Sequence, residues 1–360
     1  MSIQFPQISQ WLSNFRITPV STIQFPQFYS YTDCMMENHP EPIAQIHIDT
    51  DECAQLNGLS KLNGWETDYR QAGGGKFSTY FSLYSSTGIR FSEQYCNREM
   101  MISAVPPPQH AALFLPLNSG DKGVMQGNSL GECAAALIGP ESETFYRTPE
   151  GLHMMVATIP VSRLNHALRS ATEGKSHQLS AKTRVFTLAE DTISRLSSRM
   201  SRALQITQTA TDQAEVNVCL QEIEQDVVST LSLALTQAGQ PESGARGRRN
   251  RLRCLRQARA YIEANLASPL VMETLCQAVG ASQRTLEIAF RETFNITVVQ
   301  YVKNRRLIAI NHLLLDPQRT ATSVSCLARA HGFNHMGHFA RDYRALFDEL
   351  PSDTLRISMG

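Results

Sequence analysis

The sequence predicts a multidomain α+β protein with a β-rich N-terminal part and an all-helical C-terminal part. Its 360 residues exceed the typical size of one compact domain. Apolar residues recur with a period of two between Ile43 and Ile159, whereas after Pro160 the period is about 3.6 residues. A pattern of two short helices separated by a glycine turn then occurs twice between Leu275 and Leu355.

The β-rich part contains eight short runs, most of them rich in β-forming residues. Clusters of Gly, Pro, Asn or Ser separate many of them at intervals of about 8 to 15 residues, which favours a sandwich or barrel over alternating strand–helix units. The runs are residues 43–49, 79–84, 88–92, 100–104, 111–117, 123–126, 134–138 and 153–159. The segment Ile-Gln-Phe-Pro occurs at residues 3–6 and 23–26, which we interpret as coincidence or as edge strands.

Three amphipathic helices are predicted next, over residues 161–171, 188–204 and 211–236. The second helix has an apolar stripe of Ile193, Leu196, Met200 and Leu204, and the third has a stripe of Val216, Leu220, Ile223, Val227, Leu231 and Leu235. Such stripes most often pack inside their own chain, but two striped helices also pair with a second copy, so a homodimer through residues 188–236 is an alternative. Residues 237–250 lack a stripe and are predicted to be a linker.

The two helix–turn–helix copies are residues 275–294 and 327–347. Gly280 and Gly332 suit short turns that need a positive φ, and Ser282 and Asn334 are expected to cap the second helix of each copy. The side chains predicted to face inward are Leu286, Ala289, Phe290 and Phe294 in the first copy and Phe339, Tyr343 and Phe347 in the second.

A further helix is predicted between the copies, over residues 298–315, and Asp316-Pro317 ends it. At 1.5 Å per residue this helix is about 27 Å long. With the offset of the second helix of each copy, that length approaches the ~34 Å of one DNA turn. The spacing therefore predicts a domain that reads two adjacent major grooves.

Charge is distributed unequally along a chain whose formal net charge is zero. Residues 246–360 contain 17 basic and nine acidic side chains, whereas the remainder contains 16 basic and 24 acidic ones. This asymmetry suits a C-terminal domain that attracts a polyanion, although basic faces are more often merely solvated.

The C-terminal motifs together resemble the DNA-binding domain of the AraC/XylS family of bacterial transcription regulators. The resemblance covers about the last hundred residues and rests on Ser282 to Leu286, Arg306-Leu307, Gly332-Phe333 and Leu350-Pro351-Ser352. The sequence departs from the family pattern at Asn295 and Asp348, which replace glycine, at Val298, which replaces proline, and at Val271, which occupies a helix N-cap position. Asn and Asp tolerate the left-handed conformation better than most residues with a side chain.

The resemblance implies an effector-responsive regulator. We expect residues 1–160 to form a regulatory domain with a cupin-like β-barrel, residues 161–236 a helical dimerisation or packing region, and residues 251–360 the DNA-binding domain. The implied partners are double-stranded DNA, a small-molecule effector and RNA polymerase, and activation is an expectation from the family alone. The alternative is a β-barrel ligand-binding protein or enzyme whose C-terminal helices mediate protein contacts.

Candidate DNA contacts lie on the outward faces of the two second helices. Base contacts are expected from Arg284, Glu287, Ile288, Met336, His338 and Arg341, because these positions face outward near the helix starts. Backbone contacts are expected from Ser282, Gln283, Arg291, Lys303, Arg305, Asn334 and Arg344. The basic run Arg246, Arg248, Arg249, Arg251 and Arg253 either neutralises phosphates or is a solvated start of a helix.

The sequence contains no catalytic or metal-binding signature. The glycines at 73–75 precede Lys76, but Phe77 stands where a P-loop needs Ser or Thr, and Ser142 has Pro140 and Thr144 in place of the glycines of a nucleophile elbow. No His-x-His pair occurs, so no enzyme activity, metal or cofactor is expected, and the effector-binding residues are unknown. Eight cysteines without a Cys-x-x-Cys pair, no N-terminal signal segment and no membrane-length apolar run predict a cytoplasmic protein.

Overall fold

The computed structural model describes residues 22–24, 44–50, 53–85, 88–117, 123–171, 182–209, 213–237, 245–316 and 323–359. The chain divides into two compact units. The N-terminal unit comprises Met1–Arg70 and Phe77–Gly239, and the C-terminal unit comprises Gln71–Lys76 and Gln240–Gly360.

The described residues of the N-terminal half form strands and four helices. The strands are β1 (Thr22–Gln24), β2 (Ala44–Thr50), β3 (Glu66–Gln71), β4 (Thr79–Ser85), β5 (Arg90–Cys96), β6 (Met100–Val105), β7 (His110–Pro116), β8 (Gly123–Met125), β9 (Asn128–Leu130), β10 (Ala134–Ile138), β11 (Thr144–Arg147), β12 (Leu152–Pro160) and β13 (Arg184–Thr187). The helices are α1 (Cys53–Leu62), α2 (Val161–Ala171), α3 (Glu190–Thr209) and α4 (Gln213–Gln237). Each of the eight β-runs predicted from sequence overlaps one of these strands.

The strands form two sheets, and neither sheet closes on itself in the described part of the chain. The eight-stranded sheet has the order β1-β2-β4-β5-β12-β7-β10-β13, and all its neighbours are antiparallel. The five-stranded sheet has the order β3-β6-β11-β8-β9. In the described residues the structure therefore shows two open sheets, with the short strands β1 and β13 at opposite edges of the larger one, and the expected barrel stays a prediction.

The eight-stranded sheet is buried on both faces. Along β7, Phe114 belongs to a core cluster shared with the five-stranded sheet, whereas Leu113 and Leu115 belong to a cluster shared with the helices. Successive side chains of a strand point to opposite faces, so one strand contributes to both cores. The sheet is thus a middle layer between a second sheet and a helical layer.

The apolar stripes of α3 and α4 lie inside this helical layer. Leu196, Met200 and Leu204 of α3 and Ile223, Val227 and Leu231 of α4 are buried against the eight-stranded sheet, whereas the side chain of Val216 lies outside the described ones. An ion pair of Arg199 with Asp226 at 2.6 Å links the two helices. The sequence alternative of an intermolecular seam along these stripes is therefore corrected to intramolecular core.

Sequence patterns did not predict α1 or the strands β3, β9, β11 and β13. The α1 segment contains Asn57-Gly58, which is a turn signal, yet Leu56 and Leu59 are completely buried in the core between the sheets. Burial of these two leucines stabilises a helix that local propensity does not favour. β1 pairs with β2 at the edge of the sheet, in agreement with the edge-strand interpretation.

The C-terminal unit is helical. Its helices in the described residues are α5 (Ala245–Ala264), α6 (Met272–Val279), α7 (Gln283–Phe294), α8 (Val298–Leu315), α9 (Val324–Ala330), α10 (Met336–Phe347) and α11 (Pro351–Met359). Residues 245–250 were expected in the linker but belong to α5, which corrects that boundary. The physical reason is that this arginine-rich segment lacks proline and arginine favours helices, so the basic run starts a helix. No helix in the described ranges is both long and apolar enough to cross a membrane.

Candidate nucleic-acid interface

The first helix–turn–helix motif is built by α6, a short turn and α7. Gly280 ends α6 with φ 65°, and its N–H donates to the carbonyl of Gln277 at 3.2 Å. The N–H of Ala281 donates to the carbonyl of Cys276 at 3.1 Å, which completes a Schellman motif. A Cβ at Gly280 would meet no atom within 4 Å, so the turn needs glycine for its backbone conformation alone.

The second motif repeats this geometry with α9 and α10. Gly332 has φ 82°, its N–H donates to the carbonyl of Arg329 at 2.9 Å, and the N–H of Phe333 donates to that of Ala328 at 2.9 Å. Here a Cβ would also lie 2.7 Å from Nη1 of Arg306. Both conformation and space therefore require glycine at this turn.

The second helices, α7 and α10, are called recognition helix 1 and recognition helix 2 below. Ser282 caps recognition helix 1 as expected, because its hydroxyl accepts from the N–H of Thr285 at 3.2 Å. The expected cap Asn334 was wrong, since recognition helix 2 starts one residue later and His335 occupies the N-cap position without a side-chain bond. The second helix starts three residues after the turn glycine in the first motif, at Gln283, and four residues after it in the second motif, at Met336.

The ends of both recognition helices have the left-handed conformation predicted for residues that replace glycine. Asn295 has φ 54° and Asp348 has φ 60°, and their N–H groups donate to the carbonyls of Arg291 and Arg344. Val271 is the N-cap of α6 and makes no side-chain bond there, also as predicted.

Recognition helices 1 and 2 are each 12 residues long, so their positions correspond one to one. The predicted inward faces are confirmed: Leu286, Ala289, Phe290, Phe294, Phe339 and Tyr343 are buried, and Phe347 is half-buried against the core of the second motif. Arg291 corresponds to Arg344 by helix position, whereas Arg341 corresponds to Ile288. The two helices therefore present different side chains at the same place on an otherwise similar scaffold.

The outward faces hold exposed arginines without protein partners. Arg284 and Arg291 on recognition helix 1 and Arg341 and Arg344 on recognition helix 2 are exposed. Within the described ranges none of the four makes an ion pair or a side-chain hydrogen bond. Gln283 and His338 are also exposed, and Glu287 and Ile288 are half-buried.

Other predicted contacts are engaged within the unit. Lys303 pairs with Asp342 at 3.3 Å, and Arg305 makes a two-pronged contact with Glu263 at 2.7 and 2.6 Å. Arg251 of the basic run pairs with Glu292 on recognition helix 1 at 2.6 Å.

Met336, expected to face bases, lies at the start of recognition helix 2. Its side chain is half-buried and packs against the core cluster of the second motif. The rings of His335 and His338 lie 5.7 Å apart beside it and are both exposed. The tip of this helix therefore offers imidazole nitrogens to a ligand more readily than it offers the methionine side chain.

Arg306 has a positioning role that sequence reasoning missed. Its Nε donates to the carbonyl of Leu266 at 3.0 Å and its Nη2 donates to that of Ser268 at 2.6 Å. Partial burial lowers the pKa of Arg306. Because the same guanidinium lies against Gly332, it joins the connection between α5 and α6 to the turn of the second motif. The only sequence signal was its place in the Arg306-Leu307 pair.

Helix α8 has the predicted bounds and supports both motifs. Tyr301 packs against the rings of Phe290 and Phe294 in the first motif, with centroids 5.1 and 5.8 Å away. Further along the helix, Leu307 and Leu314 are buried in the core of the second motif.

The core of the second motif also contains a satisfied polar group. The hydroxyl of Tyr343 accepts from Asn311 Nδ2 at 2.8 Å and lies 2.9 Å from Thr354 Oγ1. Burial raises the pKa of Tyr343 to about 12, so the hydroxyl stays protonated and holds α8, recognition helix 2 and α11 together.

Two helix–turn–helix motifs that share a helix, each presenting arginines on its second helix, define a double helix–turn–helix domain of the DNA-binding class. A family described as "Helix-turn-helix domain" matches residues 275–357. The XylDLEGF operon transcriptional activator of Pseudomonas putida is 40% identical over 96 residues, which are 27% of this chain and 30% of that protein. The C-terminal domain is therefore a helix–turn–helix domain of the AraC/XylS type.

Two further comparisons cover a similar share of the chain. The probable thc operon regulatory protein of Rhodococcus erythropolis is 31% identical over 96 residues, 27% of this chain and 29% of that protein. The solved structure of a probable AraC family transcriptional regulator from Rhodopseudomonas palustris CGA009 is 39% identical, with a TM-score of 0.28, and covers 29% of this chain and 96% of that one. The chain thus spans about 30% of the length of the curated relatives named here.

Proposed function

We propose that this protein is a sequence-specific DNA-binding transcription regulator that reads two adjacent major grooves with recognition helices 1 and 2. The observation that supports this proposal most is the set of four exposed arginines without protein partners on the two helices. A guanidinium that is not engaged within the protein is available to phosphates and to guanine. DNA binding then supplies the partners that the folded chain does not.

Direct readout follows from the positions of these side chains. Arg284 and Arg341 each offer a fork to guanine O6 and N7, Glu287 accepts from cytosine N4, and Ile288 contacts a thymine methyl group. His338 adds a further polar contact near the start of recognition helix 2, and Met336 contributes only through its exposed part. The half-site of recognition helix 2 is therefore read by a different set of groups from the half-site of recognition helix 1.

Phosphate contacts fix the register of the domain on the duplex. Arg291 and Arg344 occupy equivalent positions in the last turns of the two recognition helices, so we assign them to backbone phosphates. Ser282 and Gln283 at the start of recognition helix 1, and Asn334 in the turn before recognition helix 2, are assigned to phosphates as well. Lys303 and Arg305 reach phosphates only by exchanging their pairs with Asp342 and Glu263. Their substitution should consequently reduce DNA affinity less than substitution of Arg344.

The N-terminal unit is proposed to be a cupin-like sensor for a small effector. A cavity between its two sheets, with Asn63, Phe114 and Tyr146 among its lining residues, supports this role. The relative named as a transcriptional activator supports an activator, and RNA polymerase as a partner and a cytoplasmic location remain predictions from the sequence. A homodimer would use the solvent-facing side of α4, where Val218 and Leu233 are more than half exposed.

The alternative of a ligand-binding protein or enzyme with C-terminal helices for protein contacts is not favoured. Protein interfaces are depleted in charge at their centres and enriched in apolar anchors. The outward faces of both recognition helices instead present exposed arginines beside polar or half-buried side chains.

The test is titration of the full chain against a DNA site selected from random sequence, and against a scrambled duplex, at several salt concentrations. Arg341→Ala should lower the affinity for the selected site by about 1–3 kcal/mol and relax specificity at one position. Arg356→Ala is the matched control, because Arg356 is exposed on α11 and pairs only with Asp353. Salt-insensitive or absent DNA binding by the wild type would refute the proposal.

A further inference from the structure

A glycine-rich loop from the first quarter of the chain belongs to the C-terminal unit. It comprises Gln71–Lys76, with three consecutive glycines at positions 73–75, and is called the glycine loop below. It does not match a P-loop, because the lysine is followed by Phe77. Although 275 positions separate Gln71 from Leu346 in the sequence, the loop lies at the C-terminal end of recognition helix 2.

The side-chain amide of Gln71 folds the loop and attaches it to the helix at the same time. Its Nε2 donates to the carbonyls of Gly73 at 2.8 Å and Gly75 at 2.6 Å, and it also donates to the carbonyl of Leu346 at 3.0 Å. Gln71 is buried. All three partners are acceptors, so the nitrogen of the amide faces them and its oxygen does not. Because the amide has two N–H groups, one of them is shared between two carbonyls.

Gly74 lies against the backbone of recognition helix 2. A Cβ at this position would lie 2.2 Å from the carbonyl oxygen of Ala345 and 3.4 Å from its carbonyl carbon. Backbone atoms cannot turn aside as the end of a flexible side chain can, so only the hydrogen of glycine fits there. Any other residue would move the loop away from the helix. The contact therefore requires glycine for reasons of space.

The last turn of recognition helix 2 has carbonyl groups that the helix itself cannot pair. The carbonyl of Arg344 accepts from the N–H of Asp348 at 2.8 Å. The next carbonyl, of Ala345, lies against the glycine loop, and that of Leu346 accepts from Gln71. The exposed side chain of Arg344 projects from the same turn. The glycine loop thus contacts the backbone of the residues that directly follow a proposed phosphate contact.

We infer, resting on the proposed DNA-reading function, that the glycine loop is a C-terminal cap that positions recognition helix 2 on DNA. Gln71 supplies the donor, and Gly74 permits the close approach. The cap holds the last turn in its helical form, and this turn carries Arg344. Gln71 is thus a positioning residue that acts through Arg344 and not by contact with DNA. The DNA-reading surface consequently depends on a segment outside residues 251–360.

Gly74→Ala in the full chain tests the approach of the loop. Loss of the cap leaves a carbonyl group of the last turn without its donor, and the loss of one hydrogen bond makes local opening about fivefold more frequent. Hydrogen–deuterium exchange at the end of recognition helix 2 should become faster by this factor. Gly131→Ala is the matched control, because Gly131 is exposed and a Cβ there would meet no atom within 4 Å. Equal exchange at the helix end in the two variants would overturn the inference.

Substitution of Gln71 tests the hydrogen bonds separately from the space. Gln71→Met keeps an unbranched side chain of similar length but removes both N–H groups, so it should also accelerate exchange about fivefold. Gln71→Lys retains donors and adds a positive charge, which is favourable at a helix C-terminus, so its exchange should stay within about twofold of the wild type. Far-UV circular dichroism checks that all variants fold. Equal exchange in the Met and Lys variants would refute the assignment of Gln71.

DNA titration separates positioning from general stability. The half-site of recognition helix 2 is identified by the loss that Arg341→Ala causes, and a second duplex is truncated so that it ends before this half-site. Gln71→Met should weaken binding to the complete site by up to about fivefold, because DNA must restore the ordered turn before Arg344 contacts a phosphate. Binding to the truncated duplex should change by less than about twofold, since it offers this turn no phosphate. Equal losses on both duplexes would indicate a general loss of folded protein and would overturn the positioning role.

The same titrations distinguish this inference from the proposed function. Absence of salt-sensitive DNA binding by the wild type refutes the regulator proposal and with it the effect on DNA, whereas exchange at the end of recognition helix 2 reports on the cap alone. Salt-sensitive DNA binding that is equal in the wild type and in Gln71→Met refutes only the positioning role.

Discussion

Substitution of Arg306 by alanine tests whether one guanidinium holds the second motif in place. The side chain makes two hydrogen bonds to backbone carbonyls, at 3.0 Å to Leu266 and at 2.6 Å to Ser268. A hydrogen bond from a charged donor contributes about 1.5–3 kcal/mol. Because Arg306 is half-buried, we discount the pair by about half for solvent screening and expect a loss of roughly 1.5–3 kcal/mol.

Hydrogen–deuterium exchange with mass spectrometry is the suitable assay. Both tryptophans, Trp11 and Trp65, lie outside the C-terminal unit, so tryptophan fluorescence would not report on it. Since about 1.4 kcal/mol corresponds to a factor of ten, local opening should become about 10- to 100-fold more frequent. The affected peptides should be the connection before α6 and the turn around Gly332.

Two control variants make the outcome decisive. Arg306→Lys keeps the charge but loses the planar fork, so it should show most of the effect of Arg306→Ala. Arg356→Ala removes an exposed arginine paired with Asp353 at 2.9 Å and should leave exchange unchanged. If Arg306→Ala exchanges like Arg356→Ala, the assigned positioning role is refuted.

Three further predictions concern stability. Gly280→Ala should destabilise the C-terminal unit by about 1–2 kcal/mol through its positive φ, whereas Gly337→Ala, inside recognition helix 2 with open space around its Cα, should stabilise it by about 0.5–1 kcal/mol. Relative to the wild type, hydrogen–deuterium exchange of the C-terminal unit should become faster in Gly280→Ala and slower in Gly337→Ala. A change in the same direction in both variants would contradict the argument. Val271→Ser should stabilise α6 by about 1 kcal/mol, because serine supplies the side-chain hydrogen bond that the N-cap lacks. Amide hydrogen exchange in the first turn of α6 should become slower, and an unchanged exchange rate there would count against the prediction. Tyr146→Phe without ligand should keep or raise the melting temperature of the N-terminal unit, because its buried hydroxyl has no partner; a clear fall would show that the hydroxyl is bonded after all.

The helices of the C-terminal unit could be predicted because their signals are local. Gly280, Ser282 and Asn295 each determine a turn or a cap through their own backbone preference or side chain, and the bounds of α8 follow from apolar spacing that ends at Asp316. The cap of recognition helix 2 could not be predicted, because nothing in the residues around His335 reveals that this helix starts four residues after its turn glycine instead of three. Local rules place an element to within a residue or two.

The ion pairs and the cavity depend on residues far apart in the sequence. Arg305 meets Glu263 and Arg306 meets Leu266 across about 40 positions, so exposure and charge alone suggested DNA contacts for Arg305 and no role for Arg306. Asn63, in the turn before β3, and Tyr146, on β11, both line the cavity between the sheets although 83 positions separate them in the sequence. Their shared lack of a partner is a property of the packed cavity and has no signature in either segment.

Neighbouring side chains of strand β7 face the cavity on one side of the sheet and the helical layer on the other. Phe114 lines the cavity, and its neighbours Leu113 and Leu115 pack in the core that also holds the stripes of α3 and α4. Protein interiors are close-packed and transmit strain. A ligand that displaces Phe114 would therefore also move Leu113 and Leu115, against which α3 and α4 pack. The middle sheet would then convert the filling of a small void into a change of helix packing, and α3 and α4 are where the response to an effector should first be measured.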